Sequence, residues 1–237
     1  MRRGLLQQVN ACRSANSPCV LVRNLETHDS FVLEPGLHVD EQDAELHDLA
    51  MRALSADQCL RLDLYGQDCF IQPFNAPLRL IIIGAVHIGQ HLASNATACG
   101  YDVVVVDPRQ AFASEARFPG VTLNTEWPDF ALETMALDMR TALVTLTHDP
   151  KLDDPALQVA LRSPAFYIGA LGSRKTQAAR IKRLQQAGFG EAEIARLKAP
   201  VGLDIGARSP AEIAISIMAE ITATLRTEDR RQETEIR

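Results

Sequence analysis

Apolar positions change their rhythm near residue 75. Upstream, the elements are short. Residues 2–15 read as a helix, and CVLVRNL and SFVLEP, on either side of the polar ETHD, read as a hairpin. In EQDAELHDLAMRAL, Ala44, Leu46, Leu49, Met51 and Leu54 recur at helix-like spacing. CLRLDLYG and QDCFIQPF form a second hairpin, with Leu60, Leu62 and Leu64 alternating against polar neighbours and Gly66 in the turn. The two prolines of PFNAP mark a linker around Asn75.

Downstream the pattern becomes strand–helix–strand. LRLIIIG is an unbroken apolar run, as expected of a strand buried on both faces of a parallel sheet. A helix over residues 87–99 leads through Gly100 to YDVVVVD, and further strands follow at TALVTLT and AFYIGAL. Helices are expected at WPDFALETMALD, DDPALQVALR and SRKTQAARIKRLQQAG. The last helix carries Ser209 as N-cap, Pro210 at its first position and Glu212 closing a capping box. The pattern therefore predicts an α/β chain. Residues 1–76 form a smaller α+β domain, residues 77–226 a Rossmann-like, doubly wound parallel sheet, and residues 227–237 a solvated charged tail.

Composition narrows the function. With 24 Lys and Arg against 30 Asp and Glu, the net charge is −6, which argues against a nucleic-acid backbone binder. Aromatics make up only 5% of the chain, too few for a platform stacking single strands. No apolar run reaches the ~18 residues that span a bilayer, and no signal-peptide core forms after MRRG, so a cytoplasmic protein without membrane partners is expected. The five cysteines show no CxxC or Cys/His metal spacing and read as small buried hydrophobes in a reducing compartment.

Candidate chemistry gathers where strands end. The first strand turns through Gly84-Ala85-Val86-His87-Ile88-Gly89, a G-x-x-x-x-G in which Val86 replaces the glycine that lets a backbone approach a pyrophosphate. The next strand closes on Asp107, near the ~20-residue offset of an acidic ribose ligand. NAD(P) binding is thus half-supported, with Val86 counting against it. The bland reading leaves Gly84 and Gly89 to tight packing. His87 and His91 share a helix face, but only His148 offers a third ligand, so no metal centre is expected. Leu146-Thr147-His148-Asp149 places His148 and Asp149 beyond a strand end. They could serve as a base with its orienter or as donors to a polar heterocycle, although Asp149 is equally good cap chemistry. Gly172, Ser173, Arg174 and Lys175 join glycine, hydroxyl and two cations at a helix start, an anion site. Gly202, Asp204, Gly206 and Arg208 form a glycine-punctuated loop that could line the same crevice.

GAVHIG, VVVVDPR, LTHD, YIGALGSRKT and PVGLDIGARSPAEIA together resemble the C-terminal domain of the XdhC/CoxI family, accessory proteins of xanthine dehydrogenase and related molybdenum hydroxylases, over residues 78–225. The resemblance implies a Rossmann-like domain in a non-catalytic chaperone. Such a protein binds molybdenum cofactor (molybdopterin), protects it during sulfuration by a sulfurtransferase, and delivers it to the apo-hydroxylase as a homodimer. It draws Gly84, His87, Gly89, Asp107, Arg109, His148, Asp149, Gly172, Ser173, Arg174, Gly202, Asp204 and Gly206 into the matching motifs. Two departures stand out: Val86 in the first turn, and no Gly-Gly-Cys segment before Pro77. The competing readings are an NAD(P)-dependent oxidoreductase using His148 as acid/base, and a nucleotide-sensing regulatory module.

Overall fold

The computed structural model describes residues 3–15, 17–34 and 44–234, with side chains as far as Thr227. Two units are distinct, one of Met1–Ala76 with Glu228–Arg237 and one of Pro77–Thr227.

The first unit is built on an antiparallel sheet of order β2-β1-β4-β3. Its strands are β1 (Cys19–Asn24), β2 (Ser30–Leu33), β3 (Leu60–Leu64) and β4 (Gln67–Phe74), and its helices α1 (Arg3–Ser14) and α2 (Ala44–Ala56). β1 lacks alternation because both its faces are covered. Val20 and Val22 join Leu46, Ala50, Ala53 and Leu54 of α2, while Cys19 joins Val9 and Cys12 of α1. Residues 41–43, in the expected second helix, lie outside the described residues. The linker is shorter than PFNAP suggests: Pro73 and Phe74 pair with Val20 and Cys19 in the sheet. Asn75 is tied down by Nδ2, which donates to the carbonyl of Leu54 and the carboxylate of Asp57.

The second unit is a six-stranded sheet, every pair parallel, ordered β10-β9-β8-β5-β6-β7. Its strands are β5 (Arg79–Ile83), β6 (Asp102–Val106), β7 (Thr122–Asn124), β8 (Thr141–Thr145), β9 (Tyr167–Ala170) and β10 (Leu197–Lys198). The connecting helices are α3 (His87–Ala98), α4 (Pro128–Met135), α5 (Pro150–Arg162), α6 (Arg174–Gln186) and α7 (Glu191–Ala195), and α8 (Pro210–Thr234) follows β10. The unbroken apolar run of β5 has the expected cause. Leu80 and Ile82 face α3 and α8, Ile81 and Ile83 face α4, α5 and α6, and all four are fully buried. Each such side chain contributes about 1.5–3 kcal/mol of burial.

The capping box forms as the motif predicts. Glu212 accepts from the N–H groups of Arg208 and Ser209, and Ser209 Oγ accepts from Glu212 N–H. α8 then runs on to Thr234, through most of the charge run expected to be tail. β7, α7 and β10 have no counterpart in the apolar pattern, being three, five and two residues long. One expectation is corrected outright: Cys12, Cys19 and Cys69 are buried, but Cys59 and Cys99 are exposed. No helix among the described residues is long and apolar enough to cross a membrane.

Candidate functional site

Strand order reverses between β5 and β8: the chain leaves β5 toward β6 and β7, then returns to build β8, β9 and β10 on the other side. Ligands of such sheets settle at this switch point, beyond the carboxyl ends of the strands. The turns that follow β5, β6, β8, β9 and β10 therefore all open at one edge, and together with the first turns of α3 and α6 they hold every candidate residue.

The β5–α3 turn is shaped by close approach. Gly84 sits at φ +110°, and a Cβ there would fall 2.6 Å from Thr147 Cγ2, so the β8 edge leaves no room for a side chain. A Cβ on Gly89 would lie 2.9 Å from the Gly84 carbonyl oxygen. Both glycines thus have packing reasons. Val86 is the N-cap of α3 and packs, half-buried, against the apolar core. No side chain caps the first N–H groups of α3.

Asp107 is fully buried and already engaged. Its Oδ2 accepts from Ala85 N–H at 2.8 Å and Arg109 Nη2 at 2.8 Å, and its Oδ1 from Arg109 N–H at 3.0 Å and Nε at 2.9 Å. Burial alone would raise its pKa. The Arg109 side chain, the two backbone N–H groups and the guanidinium charge outweigh that and hold it below the usual carboxylate range. Arg109 is raised first by these bonds, then by the charges of Asp107, Asp149 and Asp153. Its guanidinium lies 4.8 Å from the ring centre of Phe112. The carboxylate expected to receive a ribose is thus spent inside the protein, closing the β5 turn onto β6. Arg117, which no motif marks, braces the same turn through the carbonyl of Ala85 at 2.8 Å and the side chain of Gln90.

Beyond β8, His148 is exposed and held at φ +60°, a left-handed conformation costly for a residue with a Cβ. Asp149 caps α5, accepting from Lys151 N–H at 3.0 Å. Beyond β9, Ser173 caps α6 by accepting from Thr176 N–H, and Arg174 and Lys175 follow it, both exposed. Gly172 is at φ +149°, with Thr176 Cγ2 3.1 Å from where a Cβ would stand. α3 and α6 follow β5 and β9, which flank β8, and they pack on opposite faces of the sheet.

Below these turns lies a pair that the motifs do not reveal. Asp153 of α5 and Arg180 of α6 are almost wholly buried, with Arg180 Nη2 3.7 Å from Asp153 Oδ2. No motif of the sequence marks either residue. The only available signal is that Arg180 shares a helix face with the buried Leu184, four residues on.

The last loop behaves differently. Gly202 must be glycine, because a Cβ at φ +94° would lie 2.3 Å from Ser216 Oγ. Gly202 N–H donates to Glu220 Oε2, which also accepts from the buried Tyr167 hydroxyl, and Ser216 Oγ donates to the Leu203 carbonyl. These bonds fasten the loop to β9 and α8. Asp204 and Gly206 are exposed, and no hydrogen bond among the described residues joins them to the other turns. Nor does any group of three or more His, Cys, Asp or Glu gather as a metal site among those residues.

The family described as the XdhC Rossmann domain matches residues 80–221. A Bacillus subtilis protein, named as a probable subunit of xanthine dehydrogenase, is 33% identical over 227 residues, covering 94% of this chain and 66% of that protein. The Escherichia coli molybdenum cofactor insertion chaperone PaoD is 33% identical over 150 residues, 63% of this chain and 41% of that protein. An uncharacterized E. coli protein, YqeB, is 35% identical over 165 residues, 67% of this chain but 30% of its own length. The chain therefore spans less than two thirds of each relative's length. A crystal structure of a xanthine dehydrogenase from Bacillus halodurans superposes with a TM-score of 0.69 at 24% identity, covering 95% of this chain and 65% of that one. That likeness speaks for the fold.

Proposed function

The chain belongs to the XdhC Rossmann-domain family, and from that premise we propose that it is an accessory protein that binds molybdenum cofactor and delivers it to a xanthine dehydrogenase-type hydroxylase. The observation that carries the reading is the donor set at the switch point. The start of α6 offers Ser173, Arg174, Lys175 and backbone N–H groups, and the start of α3, at the same end of the sheet, has no side-chain cap. A phosphate-bearing pterin suits such a pair of poles. Arg174, Lys175 and the α6 N–H groups would hold its phosphate, while His148 and the α3 start would meet the donors and acceptors of the ring. The cofactor is cargo, so the protein needs to orient and release it rather than catalyse on it. Two exposed cations at an open edge suit release, because solvent screens them. Gly202, Asp204 and Gly206 would form the outer wall of the site.

On this reading the partners are the apo-hydroxylase and a sulfurtransferase, with a homodimer as the working form. Hydride transfer with NAD(P) is the weaker reading, because Asp107 has both oxygens committed to Ala85 and Arg109. The test is to purify the chain from a host that makes molybdenum cofactor, oxidise it and measure pterin fluorescence. Bound pterin is expected, and Arg174→Ala with Lys175→Ala should lower it without changing the melting temperature. No pterin, together with saturable NAD binding by calorimetry, overturns the proposal.

A further inference from the structure

The buried pair beneath the two ligand-facing turns is joined to both of them. On the α6 side, Arg180 Nη2 donates to the Leu171 carbonyl at 2.9 Å and Nη1 to Gln177 Oε1 at 2.9 Å. Nη1 also lies 3.8 Å from where a Cβ on Gly172 would stand, so the guanidinium sits directly behind the anion turn. On the α5 side, Asp153 Oδ1 accepts from Thr147 Oγ1 at 2.7 Å, and the same hydroxyl accepts from Asp149 N–H at 3.0 Å. A continuous polar chain therefore runs from Asp149 through Thr147, Asp153 and Arg180 to Leu171.

That chain is incompletely satisfied. Asp153 Oδ2, Arg180 Nε and the hydroxyl of Thr145 are buried without a hydrogen-bond partner. Thr145 ends β8 beside Ala170 of β9, between the two turns. Buried groups of this kind are costly, and a structural salt bridge is seldom retained for stability alone. Burial pushes the Asp153 carboxyl above its usual range, against the Thr147 hydrogen bond and the Arg180 charge, and pushes the Arg180 guanidinium below its own, against the Asp153 charge. A pair at 3.7 Å with unspent donors and acceptors can tighten or loosen when a turn above it moves.

We infer that Asp153 and Arg180 are positioning residues that couple the two turns, so that an anion taken at the start of α6 reorders the His148–Asp149 turn. The inference rests on the proposed anion site and adds a consequence to it. Filling the first pole prepares the second, and emptying it loosens the second, which suits a protein that must release what it carries. Coupling of this kind is reciprocal: a ring bound near His148 tightens phosphate at Arg174.

The experiment uses the full chain, ¹⁵N-labelled, titrated with inorganic phosphate while backbone amides are followed by NMR. Two variants test the link. Asp153→Asn with Arg180→Gln removes both charges and leaves none stranded, whereas Thr147→Val cuts the chain without touching a charge. In the unmodified chain, amides of Ser173, Arg174 and Lys175 should shift together with those of His148 and Asp149. In both variants the first group should still shift and the second should not, with phosphate affinity weakened about fivefold, the low end of coupling between linked sites. If His148 and Asp149 respond equally in the variants, or never respond in the unmodified chain, the coupling is refuted and the anion site stands. If Ser173, Arg174 and Lys175 do not respond at all, the anion site fails and the coupling fails with it.

Discussion

Replacing Asp107 by Asn tests whether the acidic group at the end of β6 is structural. The wild-type carboxylate accepts four hydrogen bonds, from two backbone N–H groups and from two nitrogens of one chelating guanidinium. An asparagine keeps one acceptor oxygen and presents an NH₂ where the other was, so either Ala85 N–H or Arg109 loses its partner. A hydrogen bond to a charged group is worth about 1.5–3 kcal/mol, and a stranded buried donor costs about 1–3 kcal/mol. Arg109 is 40% exposed and can turn to water, so its share is discounted. The expected loss is about 2–4 kcal/mol.

The pH dependence adds a second signature. A carboxyl held below its usual range contributes stability that is present above the unfolded-state value, about 3.9, and lost as pH falls through the folded one. Acidifying from about pH 6 toward about 3 should therefore weaken the wild type more than the variant. Urea unfolding followed by the single tryptophan, Trp127, which lies in the same unit, measures both quantities. A loss under about 0.5 kcal/mol, or identical acid limbs for the two proteins, would mean that the Asp107 carboxylate does not hold the turn.

Other substitutions probe separate parts of the argument. Gly84→Ala should cost about 2–4 kcal/mol, because the backbone is at φ +110° and the new Cβ would meet Thr147; circular dichroism melting would register it. Arg180→Met should lower stability by about 3–5 kcal/mol by stranding the Asp153 carboxylate, whereas Asp153→Asn with Arg180→Gln should recover most of that in the same urea assay. His148→Gly relieves a left-handed conformation at an exposed site, so it should leave stability unchanged or raise it by up to about 1 kcal/mol while reducing pterin retention. A clear loss of stability instead would mark His148 as structural.

Much of the architecture was legible because burial leaves a period in the chain. The unbroken run of β5 and the alternation of Leu60, Leu62 and Leu64 each follow from which faces are covered. Where a short element is held by its neighbours rather than by its own pattern, as with β7, α7 and β10, nothing in the local sequence marks it. The candidate site was legible in part for the same reason. Glycines, caps and cations at strand ends announce turns, and the switch point gathers those turns at one edge.

What the sequence determined by itself was thus the order of the longer elements and the doubly wound sheet, since these depend on local chemistry and apolar period. Tertiary structure alone decided which polar groups remain available. Asp107 looks like a ligand and is spent on Ala85 and Arg109, while Arg180, which no motif marks, is buried against Asp153. Partnership across long separations in the chain has no period, and the cost of burying a charge is met only once the partner has been brought beside it.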